Sequence, residues 1–208
     1  MTMKLLPIFA LALALAGCGD GESNVRQDYD LTQAGADGQG LLLASFTTTT
    51  PYPDFHMWTL MRLRHPNDRG MFDVAEIQAE SGCDLSKPGE SPFKDYCGRL
   101  VALELHAGTY EIYWFHTETG NVNFAPSDPV SDTFTIKPGR ATYIGNIHMT
   151  LDTTDDTFLG KHIVPGGWPA IDDKRDRDIP LLQQLVPNLK PDLIDYEILI
   201  LPGRGELR

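Results

Sequence analysis

Arg99–His116 reads RLVALELHAGTYEIYWFH, and this stretch decides the fold class. Two runs rich in β-branched, aromatic and other apolar residues flank Ala107-Gly108, a composition that suits a pleated, half-buried surface better than a helix. Glycine accepts the positive φ of a tight turn, so the segment predicts a β-hairpin. Strict alternation would put Tyr110, Ile112 and Trp114 on one face and Glu111, Tyr113 and Phe115 on the other. Apolar bulk on both faces predicts a central strand covered on both sides. The alternative is an exposed aromatic platform for a glycan or a partner protein.

The same pattern continues on both sides. Lys137-Pro138-Gly139-Arg140 lies between the strand-like runs Asp132–Ile136 and Ala141–Met149. Proline sets the first turn dihedral and glycine the second, which predicts a type II turn. Upstream, Leu41–Thr48, Met57–Arg64 and Phe72–Ala79 read as strands, broken apart by Pro51, Pro53 and the run His65–Gly70. About seven strands at regular spacing predict a mainly β protein, an antiparallel β-sandwich. Downstream, Asp178 is positioned to cap a short C-terminal helix with Pro180 in its first turn and Leu181, Leu182, Leu185 and Val186 on its apolar face. Ile194–Leu201 reads as a last strand. Prolines (15) and glycines (19) make up about a sixth of the 208 residues, in keeping with many short elements, and the length suits one domain.

The order Leu105-His106-Ala107-Gly108-Thr109-Tyr110-Glu111-Ile112, then Phe134–Gly139, then Tyr143–Ile147, resembles prealbumin-like sandwich domains, and bacterial envelope lipoproteins without characterised function carry similar pairs of turn motifs. The resemblance spans residues 41–150 and implies a fold; its motifs hold no chemistry.

The N-terminus carries a different kind of signal. Residues 1–17 place Lys4 before an apolar run from Leu5 to Ala16, a secretory signal whose run of about a dozen residues is too short to span a bilayer. Leu15-Ala16-Gly17-Cys18 resembles the lipobox of bacterial lipoproteins, which implies cleavage before Cys18 and lipidation of its thiol, including palmitate-type acyl chains. Several acyl chains make a stable anchor at about 0.8 kcal/mol per buried CH₂. In the sorting pattern of that family an Asp directly after the lipidated cysteine retains the protein in the inner membrane. Here that position is Gly19, so the resemblance implies the outer membrane in a Gram-negative source. Residues 18–40, polar and glycine-rich, read as a flexible tether, and residues 41–208 as the domain with its helical extension.

With Cys18 assigned, Cys83 and Cys97 remain. An even count in an oxidising compartment reads as one disulfide, and closing a loop of about 15 residues stabilises the fold by roughly 3 kcal/mol. The net charge of −12 argues against a nucleic-acid surface, which needs a clustered Lys/Arg footprint, so no nucleic-acid partner is expected. No G-x-S-x-G elbow, H-E-x-x-H helix or phosphate-cradling glycine loop is present in the sequence. His106, His116 and His148 fall at predicted strand ends, with His106 and His116 at opposite ends of their hairpin, unsuited to joint metal ligation. The acidic groups Asp152, Asp155, Asp156 and Asp172, Asp173, Asp176, Asp178 offer oxygen ligands without calcium-loop spacing. These patterns predict no enzyme, no metal and no cofactor. They leave a non-catalytic interaction or structural module anchored to the envelope membrane, with an envelope protein as partner. The alternative is a small-ligand or glycan-binding lipoprotein using loop aromatics, chiefly Trp168 within Pro165-Gly166-Gly167-Trp168-Pro169.

Overall fold

The computed structural model describes residues 30–49, 58–66, 75–80, 91–119, 122–124, 132–156, 161–186 and 188–200. In chain order these form α1 (Leu31–Ala36), β1 (Gln39–Thr49), β2 (Trp58–Arg64), β3 (Ala75–Glu80), β4 (Cys97–His106), β5 (Gly108–Thr119), β6 (Val122–Phe124) and β7 (Thr133–Ile136). There follow β8 (Ala141–Asp156), β9 (Lys161–Asp172), α2 (Arg175–Leu185), a 3-10 turn at Pro191–Leu193 and β10 (Ile194–Tyr196). The protein is mainly β, with its strands in two five-stranded sheets.

The first sheet runs β10-β8-β1-β4, and β9 shares β8 with β10: β10 lies along Ala141–Tyr143 and β9 along Asn146–Asp156. The second runs β3-β2-β5-β6, and β7 shares β5 with β6. Pairing in the second sheet is antiparallel throughout the described residues. In the first, β8 runs parallel to both β1 and β10. The expectation of a purely antiparallel arrangement is thus corrected, because the alternating pattern of a strand fixes its faces and leaves its neighbours open.

The hairpin expected at Ala107-Gly108 is also corrected. β4 pairs with β1, whereas β5 pairs with β2, so Ala107 is a corner where the chain passes from one sheet to the other. The corner is held by Ala107 N–H donating to Gly38 O at 2.8 Å and by Tyr110 OH donating to His106 O at 2.7 Å. Lys137–Arg140 is the reverse passage, from β7 to β8. Gly139 has φ +66°, and Arg140 N–H donates to Lys137 O at 3.2 Å, as a type II turn requires.

One apolar core takes side chains from both sheets, among them Leu42, Phe46 and Ile147 from the first and Leu63, Tyr110 and Phe134 from the second. A second core lies on the other face of the first sheet, where Leu41, Leu43 and Tyr143 meet Leu31 of α1 and Ile179 and Leu182 of α2. Leu41-Leu42-Leu43-Ala44 is apolar without alternation because β1 is buried on both faces. Residues read as the end of the tether belong to the domain: Asp30 caps α1 by accepting from Thr32 N–H at 2.8 Å, and Leu31 and Ala34 are buried.

α2 begins earlier than the sequence predicts. Its cap is Lys174, and Asp178 sits inside the helix, fully buried, so it does not serve as the cap. Pro180 is therefore the sixth residue of the helix and not in its first turn, so the N–H that would bond Asp176 O is missing.

Candidate functional site

Two clusters of polar or aromatic side chains stand out, one on each sheet. The first lies under α2. Beyond Leu43 the outward positions of β1 change from leucine to Ser45 and Thr47, both buried. They need partners, because a buried hydroxyl without one costs about 1–3 kcal/mol. A bulge in β8 supplies one. Leu43 pairs with Tyr143 but Ser45 with Asn146, so Ile144 and Gly145 together face Ala44. Gly145, at φ +116°, takes up the extra residue; a Cβ there would stand 2.7 Å from Ile171 Cγ2. The bulge returns Ile147 to the shared core and turns Asn146 and His148 toward Ser45 and Thr47.

The hydrogen bonds in this row have a single direction. Asn146 Nδ2 donates to Ser45 Oγ (2.8 Å) and Ser45 O (3.3 Å), so Asn146 Oδ1 is its acceptor end and takes the Thr47 hydroxyl proton at 3.0 Å. Thr47 has no second proton, so at 2.8 Å it is His148 Nδ1 that donates to Thr47 Oγ1. At the other end Ser45 Oγ donates to Asp178 Oδ2 at 2.5 Å, and Tyr143 OH donates to the same oxygen at 2.6 Å. Arg177 Nε donates to Asp178 Oδ1 at 2.7 Å, and Arg177 Nη2 to Ser45 Oγ at 3.2 Å. Asp178, 0% exposed, is where the chain of donors ends. Burial, then the Asp178 contact, pushes the Tyr143 phenol far above its ordinary range.

The segment Ser91–Tyr96 lies over the edge of this row. Ser91 Oγ accepts from Phe93 N–H and donates to Tyr96 O. The Arg177 guanidinium sits 4.4 Å over the Phe93 ring and 6.0 Å from the Tyr96 centroid, and Tyr96 meets His148 edge-on at 5.5 Å. Cys97, next in the chain, is disulfide-bonded.

The second cluster is on the outward face of the second sheet. A register shift between Arg62 and Leu63 sets Arg62 opposite Trp114 and Leu63 opposite Ile112. Tyr113 and Trp114 therefore both face outward, while Ile112 and Phe115 are buried in the shared core. This corrects the expected alternation. The aromatic run is neither evenly divided nor covered on both sides, because one irregularity moves every side chain after it to the other face. Arg62 lies 4.6 Å over the Trp114 ring and Arg64 4.6 Å over Tyr113. His116 stacks on Trp114 at 5.2 Å and 11°, and Arg64 pairs with Glu111 at 2.6 Å. Trp58, 46% exposed, extends the same face.

Other expected site residues fall elsewhere. Trp168 is in β9 opposite Thr150, so it belongs to a strand and not to the expected loop. Its neighbours Pro165-Gly166-Gly167 read as turn chemistry; Gly166 and Gly167 pair with Asp152 and Leu151 of β8, and the register then shifts between Asp152 and Thr154. His106 ends β4, while His116 and His148 lie in different sheets. Asp173 is paired with Arg175, and Asp178 with Arg177, which divides the second acidic group among ion pairs. Asp152, Asp155 and Asp156 are in β8. Among the described residues no group of three or more His, Cys, Asp or Glu is placed to hold a metal ion. Cys18 and Cys83 lie outside the described residues.

No protein-family model matches the chain, and no curated protein does. Among solved structures it is similar to a leucine-rich repeat protein from Bacteroides thetaiotaomicron, at 18% identity and a TM-score of 0.32 over 55% of this chain. The match spans 12% of that protein's length, and a likeness of this size carries no argument.

Proposed function

We propose that the chain is a lipid-anchored envelope protein that acts without catalysis, as an interaction module for a second envelope protein. The lipobox-like Leu15–Cys18 supplies the anchor at Cys18, and Gly19 after it favours the outer membrane in a Gram-negative cell. The stretch after Cys18, read as a tether, links the anchor to the domain, and the two sheets form a sandwich of the prealbumin-like type. The observation that carries the interaction reading is the outward placement of Tyr113 and Trp114 beside Arg62 and Arg64. Trp, Tyr and Arg are the residues that most often dominate protein interfaces, because each combines a large apolar area with a polar group that works at a wet rim.

The test joins anchor and surface. Radiolabelled palmitate should enter the wild-type chain and not Cys18→Ser, which should leave the membrane fraction. A photo-reactive residue at position 58 should cross-link one envelope protein, and Trp114→Ala should abolish that product while Gln33→Ala retains it. Labelling of Cys18→Ser would refute the anchor, and an unchanged product from Trp114→Ala would refute the surface.

A second reading is binding of a glycan or other small ligand, favoured by the exposed indole of Trp58. Titration with cell-wall fragments should then shift tryptophan emission in the wild type and not in Trp58→Phe. A shift lost only in Trp168→Phe would return the site to β9.

A further inference from the structure

α2 and the Ser91–Tyr96 strap cover the first sheet at one place, and Arg177 joins the parts. Its guanidinium bonds Asp178 on the helix and Ser45 on β1, and it lies against Phe93 and Tyr96 of the strap. Beneath the cover runs the one-way chain from His148 through Thr47, Asn146 and Ser45 to Asp178. That direction fixes the neutral His148 ring as its Nδ1–H form, since the hydrogen bond at one ring nitrogen decides which nitrogen holds the proton. A second proton can then add only at Nε2.

We infer that α2 and the strap form a cover released by acid, with His148 as the group whose protonation releases it. The charges facing His148 come from each neighbouring element. Arg177 and Lys174 at the start of α2 oppose a second cation, and Asp172 at the end of β9 favours one. β1 contributes the Thr47 hydroxyl, already committed to Asn146, and the strap contributes the Tyr96 ring, set at 79° to the imidazole. Asp178, the carboxylate that ends the chain, is already engaged by Arg177, Ser45 and Tyr143. Burial is the largest influence, and the His148 pKa lies below its ordinary 6.5 while the cover is closed.

The sign follows. In the open state the imidazole is hydrated and returns toward 6.5, so the open state binds the proton more readily. The closed state is fully favoured above about pH 6.5 and loses ground as the pH falls from there toward the lower closed-state value. Opening uncovers the apolar row that α2 buries, including Leu43 and Tyr143 with Ile179 and Leu182.

Hydrogen exchange at single amides on the full chain tests this between pH 7.5 and 5.0, after correction for intrinsic rates. The opening equilibrium of α2 and the strap should rise several-fold, by no more than tenfold per pH unit, the ceiling for one proton. Amides of β2 and β5 should not follow. In His148→Gln, or His148→Asn should the first fail to fold, the rise should vanish. Nitrogen NMR of the imidazole in the wild type reads the same chain without a mutation and should find the neutral ring protonated at Nδ1. An Nε2–H ring, a rise shared by β2 and β5, or a rise that survives loss of His148 would each overturn the inference.

Discussion

Replacing Asp178 with Asn tests whether one carboxylate holds α2 to the first sheet. The change is nearly isosteric, so packing against Ile179 and Leu182 is kept and the difference is electrostatic. In the native protein Asp178 Oδ2 accepts from two buried donors, Ser45 Oγ at 2.5 Å and Tyr143 OH at 2.6 Å, while Oδ1 accepts from Arg177. Hydrogen bonds to a charged group contribute about 1.5–3 kcal/mol each, and one to a neutral amide about 1. The amide oxygen still accepts one of the buried pair, and the amide nitrogen confronts either the other donor or the guanidinium. Arg177, 28% exposed, regains water in part. The expected loss is therefore about 3 kcal/mol, well short of the total for three charged bonds. With a urea slope of about 2 kcal/mol/M the unfolding midpoint should fall by about 1.5 M. Adding Tyr143→Phe should cost less in the Asp178→Asn background than in the wild type, by about 1 kcal/mol, since the hydroxyl has by then lost its anionic acceptor. A loss below about 1 kcal/mol, or strict additivity with Tyr143→Phe, would refute Asp178 as the terminus of the buried row.

Gly145→Ala should destabilise by more than about 1–3 kcal/mol, because φ is +116° and the new Cβ would stand 2.7 Å from Ile171 Cγ2 and 3.2 Å from Asp172 O; chemical denaturation measures it, and a neutral result would place the bulge elsewhere. Asp195 receives Arg140 Nη2 at 2.6 Å and Lys137 Nζ at 2.9 Å, and the Arg140 hydrogen bond above all holds its carboxyl at about 2. A depressed carboxyl stabilises above its unfolded value of about 3.9 and loses that contribution as the pH falls toward 2. Asp195→Asn should thus flatten the acid limb of a melting-temperature profile between pH 4 and 2, and an unchanged slope would count against the pair. Cys97→Ser should lower stability by about 3 kcal/mol under oxidising conditions and by almost nothing under reducing ones; equal losses in both would assign the effect to the buried sulfur site itself.

Much of the architecture was legible, for identifiable reasons. The strand at Leu41–Thr48 and the turn at Lys137–Arg140 rest on local chemistry: β-suited residues in one case, proline followed by glycine in the other. Ala107-Gly108 misled because Gly108 does not take the positive φ that a tight hairpin would use, and the chain crosses between the sheets at Ala107 instead. The difference lies in whether Val101 and Tyr110 approach the core from one sheet or from two, which is a matter of distant partners. The Tyr113-Trp114 pair was visible as an aromatic run, yet its face depended on a register shift against Arg62 that no alternation reveals.

The buried row under α2 shows the same limit from the other side. Ser45 and Thr47 follow an apolar run at positions where alternation continues unbroken, so the sequence does mark two hydroxyls on the face that Leu41 and Leu43 bury. Nothing local says who receives their protons. Asp178 lies 133 residues from Ser45 and reads as a helix cap, since acidic residues before a proline commonly are. Its burial follows only once Lys174 and Arg175 start the helix earlier and turn the carboxylate inward. Three neutral groups with fixed donor and acceptor ends then have one consistent orientation, set by an anion at one end and an imidazole at the other. A substitution at either end should accordingly be felt at the far one: Asp178→Asn should shift the Nδ1–H preference of His148 across four intervening hydrogen bonds, and an unaltered imidazole spectrum would mean that the row is held piecewise by its separate neighbours.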